Sequence, residues 1–182
     1  MLDRVTDLGR NRLGFRSGRS ATARSRAARR THLLLVASSG GHLLQLWALR
    51  DAWEGLARVW VTFDAGDART LLAGEQVVHA YAPTNRNIPN LLRNLVLAFH
   101  VLRRVRPVAV VTTGAGVAVP FVWLGRLSGA RAVYVETLSR IDRPSLSYRL
   151  VAPFVSRTYV QWPELQRAIP RARFRGTVFT ST

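Results

Sequence analysis

The chain has 182 residues, 48% of them apolar and 20% charged, with no cysteine; about 150 globular residues suit one domain, which excludes a large multidomain enzyme and a disordered chain. Without cysteine there is no disulfide framework, thiolate metal site or cysteine nucleophile. The formal charge of +17 is carried by arginine alone, since the chain has no lysine, and planar guanidinium forks suit phosphate and carboxylate, so an anionic partner is expected.

Residues 1–30 hold nine arginines against Asp3 and Asp7 and no apolar run long enough for a secretory signal. This stretch reads as a basic, disordered tail: a solvated leader, an arm for anionic membrane, or an arm for nucleic acid. Residues 31–182 read as a single folded domain, which keeps +10 of the net charge. No internal repeat is present.

From Thr31 short β-branched runs alternate with helical patterns, the sign of βα units on a parallel sheet. A buried strand at 32–37 closes in Ser38-Ser39-Gly40-Gly41, before a helix through Leu43, Leu46, Trp47 and Leu49. A strand at 58–63, a short helix from Asp67 to Leu72 and a strand at 76–81 follow. Asp64-Ala65-Gly66-Asp67 between them reads as a turn and helix cap. A loop with Pro83 and Pro89 leads to a long helix from about 89 to 105, ended by Pro107. The strand at 108–112 enters Thr113-Gly114-Ala115-Gly116, then a helix at 117–128 and a strand at 131–135. A helix at 145–155, a short strand at 157–160 and a closing turn or helix from Pro163 complete the chain.

Residues 107–125 carry no charge, a length that meets the criterion for a membrane span. They also hold Pro107, Gly114, Gly116, Pro120 and Gly125. A strand, a glycine turn and a buried helix account for these breakers, so the expectation is a soluble βα unit. The 89–105 helix is amphipathic, with Leu91, Leu92, Leu95, Val96, Phe99 and Leu102 above a basic end at Arg103 and Arg104. That face is expected in the core; any exposed part would make a membrane-surface patch with the arginines.

Two turns stand out as candidate chemistry: Ser38, Ser39, Gly40 and Gly41, and Thr113, Gly114, Ala115 and Gly116. In an open parallel sheet both fall at the carboxyl edge, where ligands bind. Glycine lets a ligand approach the backbone, and the following helix start presents unpaired N–H groups to an anion. Two such ends suit a diphosphate, although tight turn geometry alone also selects Gly and Ser. His42 follows the first turn and is a candidate general base, or a simple hydrogen-bonding group at the helix start. His32, His79 and His100 read as packing residues. Glu136 ends the 131–135 strand on the same edge, either as a ligand for acceptor hydroxyls or as a salt-bridge partner of Arg140 or Arg143. Gly114-Ala115-Gly116 also begins a dinucleotide fingerprint, with Glu136 at the expected distance, but Val119 stands where its third glycine belongs.

Taken together, Ser38-Ser39-Gly40-Gly41-His42, Thr112-Thr113-Gly114-Ala115-Gly116-Val117-Ala118-Val119-Pro120, Tyr134-Val135-Glu136-Thr137-Leu138-Ser139-Arg140 and Val160-Gln161-Trp162-Pro163-Glu164 resemble one family. It is the membrane-associated subunit of split UDP-sugar glycosyltransferases, including the asparagine-linked-glycosylation-fourteen subunit of eukaryotes and the PssD-type subunits of bacterial capsule and exopolysaccharide synthesis. The resemblance spans about residues 31–178 and is most specific in Val-Gln-Trp-Pro and the following Pro170-Arg171-Ala172. More distantly the pattern is similar to the amino-terminal half of the peptidoglycan lipid-I N-acetylglucosaminyltransferase.

The resemblance implies an α/β fold, a Rossmann-like parallel sheet with helices on both faces, equivalent to the N-terminal half of a GT-B glycosyltransferase. It implies that this chain binds a polyprenyl-diphosphate-linked saccharide through Ser38, Ser39, Gly40, Gly41, Thr113, Gly114, Ala115 and Gly116. His42 and Glu136 would be its catalytic residues. A separate donor-binding subunit of GT-B C-terminal type would present the UDP-sugar. Eukaryotic members have an amino-terminal membrane span where these residues are polar and basic. Attachment is therefore expected to be peripheral, as in the bacterial relatives, or through the partner, at the cytoplasmic face of a bacterial plasma membrane. No cofactor or metal is expected, as no Asp-x-Asp motif occurs. The same motifs also fit a non-catalytic membrane scaffold that activates its partner. A NAD-binding or nucleic-acid-binding Rossmann domain is the remaining alternative; arginines and aromatics are not interleaved on one strand face as an RNA-binding sheet needs.

Overall fold

The structure, a computed structural model, describes residues 32–179; the tail expected at 1–30 lies outside them. Seven strands form one sheet: β1 (Leu33–Val36), β2 (Arg58–Phe63), β3 (Val77–Ala80), β4 (Ala109–Thr112), β5 (Arg131–Val135), β6 (Arg157–Val160) and β7 (Arg173–Phe174). Their order is β3-β2-β1-β4-β5-β6-β7, every pairing parallel. Parallel neighbours need crossover helices, and those supply the two outer layers.

Six helices make these crossovers: α1 (Gly41–Ala48), α2 (Gly66–Leu71), α3 (Ile88–Val105), α4 (Ala118–Leu127), α5 (Leu146–Val151) and α6 (Pro163–Ala168). Strand alternation sends Leu35, Trp60 and Val111 to one face, where they meet Leu43 and Leu46 of α1 and Ala68 of α2. Leu34, Val36, Val61, Val110, Tyr134 and Val160 point the other way, onto Ala98 and Leu102 of α3, Phe121 and Val122 of α4, and Leu165 of α6. Each fully buried side chain of this size contributes ~1.5–3 kcal/mol of transfer free energy, so both layers are held by apolar burial.

The fold expected from the sequence is present, with corrections at its edges. The neutral stretch 107–125 is the strand β4, a glycine turn and the buried face of α4; no helix among the described residues is long and apolar enough to cross a membrane. The helix expected at 145–155 stops at Val151 and continues as a 3₁₀ turn, Ala152–Phe154, around Pro153. The last segment is α6 followed by β7, a two-residue strand too short to carry a period-2 signal.

Helix α3 begins where Asn87 accepts a hydrogen bond from the Asn90 amide and ends at Arg106, in the left-handed region ahead of Pro107. Asn94, fully buried, clamps the preceding loop by hydrogen bonds of 2.9 Å to both the amide and the carbonyl of Tyr81. Asn90 holds the Pro83 carbonyl in the same way. Contrary to expectation, only one edge of the amphipathic face is in the core. Ile88, Leu92, Val96 and Phe99 form an exposed stripe, 48–69% accessible.

Candidate active site

Strands β1 and β4 are neighbours whose connections run to opposite faces of the sheet, α1 to one and α4 to the other. The carboxyl ends of such a pair form the crevice where ligands bind in open α/β sheets. Both glycine turns predicted as anion sites leave the sheet here, which brings them together.

His42 joins them. Its Nδ1 lies 2.9 Å from the Thr113 carbonyl, and the Thr113 hydroxyl donates back to the His42 carbonyl at 2.7 Å. A carbonyl only accepts, so Nδ1 carries the proton and Nε2 is left with a free lone pair. Nε2 has no hydrogen-bond partner among the described residues. Burial holds the imidazole below its ordinary pKa; the Thr113 carbonyl opposes this, and the Arg140 guanidinium reinforces it. A half-buried, neutral imidazole of fixed tautomer is the form a general base requires.

The second turn is shaped by close approach. Gly114 has φ +104°, and a Cβ there would lie 2.5 Å from the Tyr134 hydroxyl. Ala115 is also left-handed, at φ +68°. At Gly116 a Cβ would meet the Thr84 carbonyl at 2.8 Å, so the loop clamped by Asn90 and Asn94 seats directly on this turn. The Gly114 amide is tied to the Thr112 hydroxyl at 2.9 Å. In the first turn the environment is the reverse: Gly40 has φ +82°, with open space where the Cβ of Gly40 or Gly41 would be. Ser38 and Ser39 are half-buried beside it.

Glu136 sits at the end of β5, 0% exposed. One carboxylate oxygen accepts from the Ser145 amide and hydroxyl at 3.3 and 3.1 Å, the other from the Thr137 amide at 3.3 Å. Burial pushes its pKa up against these hydrogen bonds. The expected contact with an acceptor hydroxyl has no opening to solvent in this arrangement, and the alternative salt bridge is not made either: Arg143 lies 3.8 Å from Asp142 instead. The carboxylate holds the loop 137–145, whose exposed Arg140 acts electrostatically on both Glu136 and His42. Ser145 continues the network to Tyr134 and Ser147, at 3.0 and 3.1 Å. Burial pushes the Tyr134 hydroxyl far up, so it stays protonated beneath Gly114.

Gln45 was not picked out from the sequence, and Gln161 and Trp162 were picked out only as part of the motif that carries the resemblance, without a role. Gln45 of α1 accepts from the Leu138 amide at 2.9 Å and from Gln161 at 2.8 Å, and Gln161 donates also to the Glu136 carbonyl at 2.9 Å. Trp162 donates to the Leu138 carbonyl at 2.6 Å. The Val-Gln-Trp-Pro stretch thus locks the loop after β5, and a buried amide in an apolar run was the available signal. His79 and His100, expected as packing residues, are exposed. Asp67 does not cap α2, whose N-cap is Ala65 without a side-chain bond; its carboxylate instead accepts from the Gly40 amide at 2.6 Å. Among the described residues no group of three or more His, Asp or Glu side chains is arranged to hold a metal.

Residues 71–178 match the family described as "Oligosaccharide biosynthesis protein Alg14 like". Over 178 aligned residues the chain is 30% identical to the UDP-N-acetylglucosamine transferase subunit ALG14 of Eremothecium gossypii, covering 81% of this chain and 80% of that protein. The chain belongs to the Alg14-like family. Membership makes it a glycosyltransferase subunit of oligosaccharide biosynthesis. This Alg14-like chain is also 29% identical, over 82% of its length, to the Burkholderia vietnamiensis UDP-N-acetylglucosamine--N-acetylmuramyl-(pentapeptide) pyrophosphoryl-undecaprenol N-acetylglucosamine transferase, of which it spans 43%. The crystal structure of Acinetobacter baumannii MurG superposes with a TM-score of 0.66 at 17% identity, over 84% of this chain and 47% of that one. The Alg14-like chain thus has the Rossmann-like fold of a GT-B half and spans less than half the length of these two proteins.

Proposed function

We propose that this chain is the acceptor-binding subunit of a two-component transferase that moves a sugar from a UDP-sugar to a polyprenyl-diphosphate-linked saccharide. The observation that carries the reading is the His42 Nδ1–H bond to the Thr113 carbonyl, which couples the two glycine turns and frees Nε2. The ALG14 relative is named as a transferase subunit, which supports a second chain, and in this reading that chain binds the donor. Its UDP-N-acetylglucosamine is the first donor to test.

In this scheme the diphosphate lies between Ser38, Ser39, Gly40 and Gly41 on one side and Thr113, Gly114, Ala115 and Gly116 on the other. Backbone amides and Arg140 offset its charge. His42 Nε2 takes the acceptor hydroxyl proton as that oxygen bonds to the anomeric carbon of the donor. The bond from that carbon to the β-phosphate oxygen breaks, and UDP leaves with the electron pair, inverting the centre. A positioned base of this kind contributes ~10²–10⁴ in rate. Glu136 acts through Ser145 as a positioning residue for the loop that bears Arg140.

The exposed stripe Ile88, Leu92, Val96 and Phe99 lies beside Arg93, Arg103 and Arg104 on α3, whose start adjoins the second glycine turn. This pairing supports a peripheral seat at the cytoplasmic face of a bacterial plasma membrane, with the acceptor head group in the crevice. The test is reconstitution: the chain and its donor-binding partner are co-expressed, and membranes are assayed for transfer of labelled N-acetylglucosamine from UDP to lipid. Transfer that needs both chains and falls at least ~100-fold in His42→Ala is the expected result. Full transfer by His42→Ala would make the chain a scaffold.

A further inference from the structure

We propose that Asp67 is a displaceable anion that occupies the first glycine turn until a diphosphate replaces it, and so sets the selectivity of that turn. The inference deepens the reading above and rests on it. It starts from the 2.6 Å bond between the Gly40 amide and the Asp67 carboxylate, which bridges the turn after β1 and the turn after β2. Those strands are sheet neighbours, so their carboxyl-end turns lie side by side.

The arrangement does not look like a structural brace. Both residues are exposed, and they line an open groove with Leu44, Gly66, Thr70 and Leu71. Asp64, three residues earlier, is held by Arg69 through two hydrogen bonds of 2.7 and 2.8 Å. Asp67 has no such cation among the described residues and spends its charge on a backbone amide. In a chain of net charge +17 this places one of only ten carboxylates on the first glycine turn, on the β2 side of β1. A carboxylate on an amide that opens a helix makes the bond a phosphate oxygen would make there.

Competition of this kind discriminates between anions. An anion with a single charged group exchanges the carboxylate–amide bond for one of equal kind and gains nothing, while Asp67 repels it. A diphosphate also reaches the second turn, whose amides Asp67 does not occupy, and keeps a net gain after displacement. Asp67 therefore suppresses binding of free phosphate and carboxylate metabolites more than binding of a prenyl diphosphate.

The test titrates the full ¹⁵N-labelled chain, as wild type, Asp67→Asn and Asp67→Ala, with geranyl diphosphate and with inorganic phosphate. The Gly40, Gly41 and Gly116 amides are followed by NMR, and amide dispersion reports that each variant is folded. Expected are ~5–10-fold tighter geranyl diphosphate binding in Asp67→Ala, a smaller gain in Asp67→Asn, and a larger gain for phosphate than for diphosphate. Equal affinities in wild type and Asp67→Ala, with the Gly40 amide moving in both, overturn the displacement and leave the diphosphate site standing. Weaker binding in both variants makes Asp67 a brace and also overturns it. Glycine amides that ignore geranyl diphosphate in every protein remove the diphosphate site and this inference together.

Discussion

His42 and Thr113 exchange two hydrogen bonds across the crevice between β1 and β4, side chain to carbonyl in each direction, at 2.9 and 2.7 Å. The pair fixes the imidazole tautomer and ties two turns that lie 71 residues apart. Thr113→Val leaves the His42 carbonyl without its partner in a part-buried site. Unfolding by denaturant is expected to show a loss of about 1–2 kcal/mol, largely recovered in Thr113→Ser. In the reconstituted transfer assay Thr113→Val should lower kcat more than it raises KM.

The pH dependence follows from two groups shifted in opposite senses. Burial holds His42 below its unfolded value of 6.5, so the folded state disfavours the proton; the stability this group contributes is present above pH 6.5 and is lost as pH falls through the folded value. Glu136 is raised above 4.5, so its contribution is present below that value and declines as pH rises through the folded value. Thermal melts from pH 4 to 8 check both signs: His42→Gln removes the acid-side loss and Glu136→Gln the opposing slope. Glu136→Gln keeps an oxygen for Ser145 and should also keep transfer within ~10-fold. A loss of ~10² or more would make Glu136 a proton-transfer group.

Gly114 and Tyr134 are matched in shape. Gly114→Ala puts a methyl group 2.5 Å from the Tyr134 hydroxyl at φ +104°. Strain at such a φ costs of order 1–3 kcal/mol before any steric clash. Adding Tyr134→Phe removes the nearest atom and should restore part, not all, of the melting temperature, because the backbone strain stays.

The α3 stripe should be neutral for folding and decisive for lipid. Leu92→Glu with Val96→Glu changes only exposed side chains, so the melting temperature should move little. Sedimentation with vesicles containing anionic lipid should fall sharply, and binding of the wild type should weaken with added salt. Unchanged sedimentation would move the lipid contact elsewhere.

Much of this was legible in the sequence because the signals were local. Strands β1, β2, β4 and β5 announce themselves as short β-branched or leucine runs. The glycine turns are punctuated by residues with few other uses, and Pro89 and Pro107 bracket α3 through fixed backbone geometry. What stayed hidden was non-local. Asp67 reads as a helix cap by spacing, and only the adjacency of β1 and β2 brings its carboxylate to Gly40, 27 residues away. Gln45 and Gln161 meet across 116 residues, a pairing no periodicity encodes.

The sequence by itself determined the α/β class, the two glycine turns at one sheet edge, the basic surface and, through its motifs, the family. Those features depend on residue type and spacing within single βα units. The tertiary structure decided what each candidate does. It left His42 half-buried with Nε2 free, buried Glu136 against Ser145, exposed the Ile88 to Phe99 stripe and set Asp67 on the first glycine turn. The reason is physical: hydrogen-bond partners, burial and pKa depend on which distant segments the strand order makes neighbours, and strand order is a property of the whole chain.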